Sequence, residues 1–146
     1  LSLPKSNSST IMQFIGIREV HLRSRNLRKS MAFYQDLCSF PALSYIKDKH
    51  AIFEAGTALI YCHQMHSGEK GNGPHSGPHE TDATAPFLTL ECGTGEYDNN
   101  LEEFQYSEYK VLHEGVHEGG KRYFRAEDPD GHLIEMCESG HWEKFV

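Results

Sequence analysis

The chain lacks any apolar run approaching the roughly 18 residues that a membrane-spanning helix requires, so nothing in it reads as a transmembrane anchor. It also lacks a basic footprint: 14 Lys and Arg stand against 21 Asp and Glu, for a formal charge of -7. Nucleic-acid binding is driven by clustered cations that displace counterions from phosphates, and that class of partner is excluded. Cysteines are few and far apart, at Cys38, Cys62, Cys92 and Cys137. Their spacing offers neither a disulfide framework nor a zinc ribbon, and three of them lie in apolar runs where any small hydrophobe would serve. At 146 residues the chain is too short for two large domains and long enough for one with its own core. Residues 1–11 are Ser-rich and patternless and lack the apolar stretch of a secretory signal. They read as a leader, disordered or left over from cloning, with translation expected to start at Met12 and a single cytoplasmic domain over 12–146.

What is present is periodic. Over 14–24, apolar and polar residues alternate, which places Val20 and Leu22 on one face of a strand and Glu19, His21 and Arg23 on the other. Asn26 then stands where a helix cap belongs, ahead of Leu27, Met31, Tyr34 and Leu37 at helical spacing. Short strands are expected over 42–46, 50–54 and 57–63, separated by Lys47-Asp48-Lys49 and Gly56. The stretch 64–85 is rich in Gly, Pro, Ser and His and has no period, so it reads as a linker. Then the order returns: a strand over 86–92, a helix over 98–106 burying Leu101 and Phe104, a strand over 110–114, and a strand pair over 122–127 and 132–137 around Asp128-Pro129-Asp130-Gly131. The expectation is an α+β domain of two βαβββ modules, about 14–63 and 86–138.

Two segments carry a resemblance. Asn26-Leu27-Arg28-Lys29-Ser30-Met31-Ala32-Phe33-Tyr34-Gln35-Asp36-Leu37 is similar to the first-helix signature of the glyoxalase / bleomycin-resistance / extradiol-dioxygenase (vicinal oxygen chelate) superfamily, with Asn in place of its usual Asp. Glu127-Asp128-Pro129-Asp130-Gly131-His132-Leu133-Ile134-Glu135-Met136 resembles the closing hairpin of the same superfamily, and Phe53-Glu54-Ala55-Gly56-Thr57-Ala58-Leu59 lies between them. The resemblance implies a curved mixed sheet wrapped around a small-molecule pocket, and a homodimer. It also implies metal ligands on the first and last strands of each module. The superfamily's closing Glu matches Glu135. Its first-strand His falls on Glu19, with His21 two residues on and on the same face. Its second-module His falls on Phe87, whose ring cannot coordinate a cation. The cofactor is then either a divalent metal on Glu135, Glu19 and His21 or none.

Two functions follow from these residues. One is a metal-free binding protein that sequesters an antibiotic or other xenobiotic in a groove lined by Tyr61, His63, Phe87, Thr89, Tyr123, Arg125 and Trp142, with the Arg125 fork suited to a carboxylate or phosphonate. The other is a lyase, isomerase or thiol transferase in which Glu135, Glu19 and His21 are the catalytic groups around a metal. His63, His66, His75 and His79 read as part of a lid over the pocket mouth rather than as a metal tract, because a Gly-Pro linker fixes no ligand geometry.

Overall fold

The two-residue period of the first strand survives in three dimensions. In the computed structural model, which describes residues 11–66 and 85–140, β1 (Glu19–Ser24) turns Leu22 into the core and leaves His21 and Arg23 exposed on its other face. The strand begins five residues later than alternation predicts. Its parallel neighbour supplies partners only from Leu59 onward, so Phe14, Ile15 and Ile17 have no ladder to join and stay exposed. Asn26 caps the following helix by accepting hydrogen bonds from the backbone N–H groups of Arg28 (3.0 Å) and Lys29 (3.3 Å). That helix, α1 (Leu27–Met31), continues as a π-helical segment (Ala32–Leu37), and together they bury Leu27, Phe33 and Tyr34.

Three strands complete the first module: β2 (Ala42–Ile46), β3 (His50–Ala55) and β4 (Ala58–Gln64), with Gly56 at φ 65° in the tight β3–β4 turn. The sheet order is β1-β4-β3-β2, β1 running parallel to β4 and the other pairs antiparallel. The second module repeats the arrangement with β5 (Leu88–Glu91), α2 (Tyr97–Tyr106), β6 (Val111–Val116), β7 (Arg122–Glu127) and β8 (Leu133–Cys137), in the order β5-β8-β7-β6. The βαβββ repeat is thus present twice. The leader, most of the linker with His75 and His79, and Trp142 lie outside the described residues.

Both modules share one core. Leu22, Phe53, Ile60 and Cys62 from the first sheet join Phe124, Ala126, Ile134 and Met136 from the second, with Phe33, Tyr34 and Phe104 from the helical segments. The Phe33 and Phe104 rings meet edge to face at 5.9 Å. Because side chains alternate across a strand, the polar face of each sheet is the one turned away from this core. β1 and β5 each end a sheet, so the outer hydrogen-bonding edge of each is unpaired among the described residues.

The β7–β8 turn clasps the two modules. Asp128 Oδ2 accepts from the Tyr34 hydroxyl (2.6 Å) and from His132 Nδ1 (2.7 Å), while its Oδ1 accepts from the backbone N–H groups of Asp130 (2.9 Å) and His132 (3.0 Å). Asp130 in turn accepts from the Arg25 backbone N–H at 2.8 Å. Burial and the Asp128 charge push the Tyr34 hydroxyl well above the usual phenol range, so it stays a donor. Gly131 closes the turn at φ 86°, a conformation that a β-branched residue resists. Asp128→Ala, which strands a buried hydroxyl and imidazole, is expected to cost about 3 kcal/mol, and Gly131→Val about 1–2 kcal/mol. Urea unfolding measures both; an Asp128→Ala loss within roughly 0.5 kcal/mol, the ordinary range for surface positions, would show that the turn is no clasp.

Candidate functional site

Glu135 is only 4% exposed, a carboxylate in the middle of β8 that needs partners to stay charged. It has two. Directly across the antiparallel register, Arg125 of β7 donates from Nε to Oε1 at 3.0 Å, and His117, just past the end of β6, makes a 2.8 Å hydrogen bond to Oε2. His117 lies flat on the Tyr123 ring, with centroids 4.2 Å apart and planes 24° apart, and the Arg125 guanidinium sits 4.9 Å from the same ring centre. The Tyr123 hydroxyl also hydrogen-bonds His113 at 3.1 Å. Gly115 makes room for this ring: a Cβ there would meet Tyr123 atoms at 2.5 Å, so β6 can carry no side chain at that point. Thr89 pairs with Glu135 across the parallel β5–β8 ladder, and Cys137 follows two residues along the same face of β8.

The first module has its own polar cluster. Tyr61, His63 and His21 form a ring stack on neighbouring strands, His63 to Tyr61 at 4.3 Å and His21 to His63 at 5.0 Å. His21 Nε2 lies 3.1 Å from Glu19 Oε1, and its Nδ1 lies 2.7 Å from His63 Nε2. A carboxylate can only accept, so one tautomer set fits: His63 Nε2–H donates to His21 Nδ1, and His21 Nε2–H donates to Glu19. This chain of hydrogen bonds could pass a proton. His50 extends the cluster through hydrogen bonds to the Tyr61 hydroxyl (3.2 Å) and to Ser44 (2.9 Å).

The residues predicted from sequence therefore fall into two groups. Glu19, His21, Tyr61 and His63 come together on one sheet, and Thr89, Tyr123, Arg125 and Glu135 on the other. Among the described residues, none of the contacts of Glu19, His21 or His63 reaches the second group. Phe87 belongs to neither; its ring stacks on His132 at 5.1 Å, beside the Asp128 turn. Arg125, expected to grip an anionic ligand, directs its Nε at the protein's own Glu135. Sequence reasoning missed His117 because β6 was expected to end at 114, and it did not single out His113 although that residue lies inside the expected strand. Part of the signal was there: His113, Gly115 and His117 keep strand parity on the Tyr123 face, but an irregularity between Val111 and His113 shifts the register, so the apolar Val111 faces the core and does not mark that face.

The Glyoxalase/Bleomycin resistance protein/Dioxygenase superfamily model matches residues 16–136. The chain belongs to that superfamily. Solved glyoxalase-fold proteins superimpose on it at low identity, which speaks for the fold alone. Lactoylglutathione lyase from Agrobacterium tumefaciens gives a TM-score of 0.65 at 19% identity, covering 85% of this chain and 93% of that one. The fosfomycin resistance protein FosX from Listeria monocytogenes gives 0.66 at 19% identity, covering 88% and 96%. A glyoxalase-family protein from Bacillus anthracis gives 0.66 at 17%, covering 89% and 100%. Among curated proteins, none matches the sequence.

Superfamily membership raises the question of a metal on Glu135, Glu19 and His21. Those residues do not fit it within one chain. Glu19 and His21 hydrogen-bond within the first module, to each other and to His63, while Glu135 hydrogen-bonds Arg125 and His117 in the second, and the ring of Phe87 is stacked on His132. Partial burial, then the neighbouring His21, His50 and Arg23, hold the His63 imidazole below its ordinary value. The fold thus favours neutral His63, and the stability this group contributes is complete above the ordinary imidazole pKa and lost as pH falls through the lowered one. Nuclear magnetic resonance titration is expected to find His63 below the ordinary imidazole range, and His21→Gln should move it part of the way back. Titration of His63 at or above the ordinary value would contradict the stacked arrangement.

Proposed function

We propose that this protein binds and sequesters a small, flat, polar molecule, with an antibiotic or other xenobiotic as the class of ligand. The observation that carries this reading is the pair of ring stacks, Tyr61–His63–His21 on one sheet and His117–Tyr123 with Arg125 on the other. Flat rings edged with hydrogen-bonding nitrogens and hydroxyls suit a planar heteroaromatic ligand, which gains from stacking and from a few directional contacts. Each sheet offers one wall. Since the two walls back onto a shared core, the groove is closed by a second copy of the chain: the β1 edge of one copy lies beside the β5 edge of the other, and first-module rings face second-module rings. Unpaired strand edges favour such an addition. The partners are accordingly the ligand and a homodimer mate. The four free thiols suit a reducing compartment and a cytoplasmic address.

One observation favours a second reading. The Glu19–His21–His63 relay could serve as a general base, and two of the structural neighbours are a lyase and a fosfomycin resistance protein. Consumption of fosfomycin in the presence of a divalent metal would move the assignment to an enzyme. The binding reading is tested by calorimetry and thermal melting against flat heteroaromatic antibiotics, with bleomycin and fosfomycin for comparison. A ligand at about a hundredfold excess over its Kd should raise Tm by roughly 5–10 °C. Tyr61→Ala, on a half-exposed residue, should abolish the shift. Light scattering should give twice the mass of one chain. Flat ligands that bind Tyr61→Ala as tightly as the parent, or a monomer at working concentration, would remove this reading.

A further inference from the structure

We propose that His117, Glu135 and Cys137 form a binding site for one divalent cation of the zinc class, held entirely by the second module of a single chain. His117 Nδ1 or Nε2, a Glu135 oxygen and Cys137 Sγ all lie within 4.8 Å of one another. Donors placed about 2.0–2.3 Å from a common ion need only a small closing movement to reach that geometry. Among the described residues this is the one group of three or more His, Cys, Asp or Glu side chains so gathered. It differs from the donor set that the superfamily resemblance implies, because it takes nothing from the first module.

The positions are set by the backbone. Glu135 and Cys137 are two residues apart on β8 and so share a face. His117 is fixed by a tight turn: its N–H donates to the Lys121 carbonyl at 2.8 Å and its own carbonyl accepts from Gly120 at 2.9 Å, across Gly119 and Gly120 at φ 101° and 91°. Stacking on Tyr123 orients the imidazole, and Gly115 gives that ring its space. A site held this way loses little freedom on binding. Arg125 grips Oε1 and leaves Oε2 aimed at His117 Nε2, where the cation would take the place of the hydrogen-bonded proton. For the ion to bind, His117 must offer its Nε2 lone pair with a ring proton kept on Nδ1 and the Cys137 thiol must release its proton to solvent, so that the ion gains one nitrogen, one oxygen and one thiolate. Sulfur, nitrogen and oxygen together select a borderline ion over magnesium or calcium, and three protein ligands leave a fourth position open.

The site shares His117 with the second ring stack of the ligand-binding reading but requires neither the first-module rings nor a second copy, so Co2+ binding can succeed or fail apart from that reading. The full chain, prepared without nickel affinity, stripped with EDTA and dialysed, is titrated with Co2+ and then Zn2+. One Co2+ per chain is expected, with a thiolate-to-cobalt charge-transfer absorption that Zn2+ abolishes by displacement. Cys137→Ser should remove the absorption, and His117→Gln should weaken Co2+ binding by roughly tenfold or more. The double variant Glu19→Gln/His21→Gln should keep both. Melting curves of the apo variants separate site loss from unfolding, and His117→Gln serves if Cys137→Ser does not fold. Failure to bind Co2+, binding without the charge-transfer absorption, absorption that persists in Cys137→Ser, or its loss in the Glu19/His21 double variant would each overturn the proposal.

Discussion

Everything about the site follows from the clasp at Asp128. One carboxylate receives the Tyr34 hydroxyl from the first module and the His132 ring and two backbone N–H groups from its own turn, while Asp130 takes the Arg25 N–H. These bonds, with the shared apolar core, join the modules by the inner faces of their sheets. A strand has only two faces, so committing one to the core fixes the other as the functional surface. The ring stacks, the relay and the buried Glu135 all lie on that second face. Two unpaired edges, β1 and β5, flank them.

The second constraint is charge. A carboxylate as deeply buried as Glu135 persists only if its oxygens are satisfied, and Arg125 and His117 satisfy one each. Removing one partner of such a pair costs about 3–5 kcal/mol, far more than most surface substitutions. The arrangement gives the Arg125 Nε a partner inside the protein, the Glu135 carboxylate across the register. It also brings in His117, which had no role in the sequence reading and whose Nε2 meets the second Glu135 oxygen at 2.8 Å.

The fold was largely legible because it is written in periods. The parity of Val20 and Leu22 against Glu19 and His21, the cap at Asn26, and the turn residues Asp128 to Gly131 each express a local rule that the tertiary structure obeys. The strand start at 19 was not legible, since it depends on where β4 offers partners, a property of another segment. The site was legible by face but not by contact. Parity placed Glu19 with His21 and Tyr123 with Arg125, and the family resemblance singled out Glu135, yet no local pattern says whether two sheets meet by their polar or apolar sides. Phe87 illustrates the limit: the resemblance singled it out as the position of the superfamily's second-module His, and no local pattern announced that its ring stacks on His132 beside the turn.

On the proposed reading, the two polar faces of one chain are completed by a second copy along the β1 and β5 edges, which each end a sheet. Hydrogen exchange of segments 19–24 and 88–91 over a range of protein concentrations tests it most directly. The account predicts fast-exchanging edge amides in dilute solution that become protected together as concentration rises through dimer formation. Edge amides that are protected to the same degree at every concentration, or exposed at all of them, would contradict it.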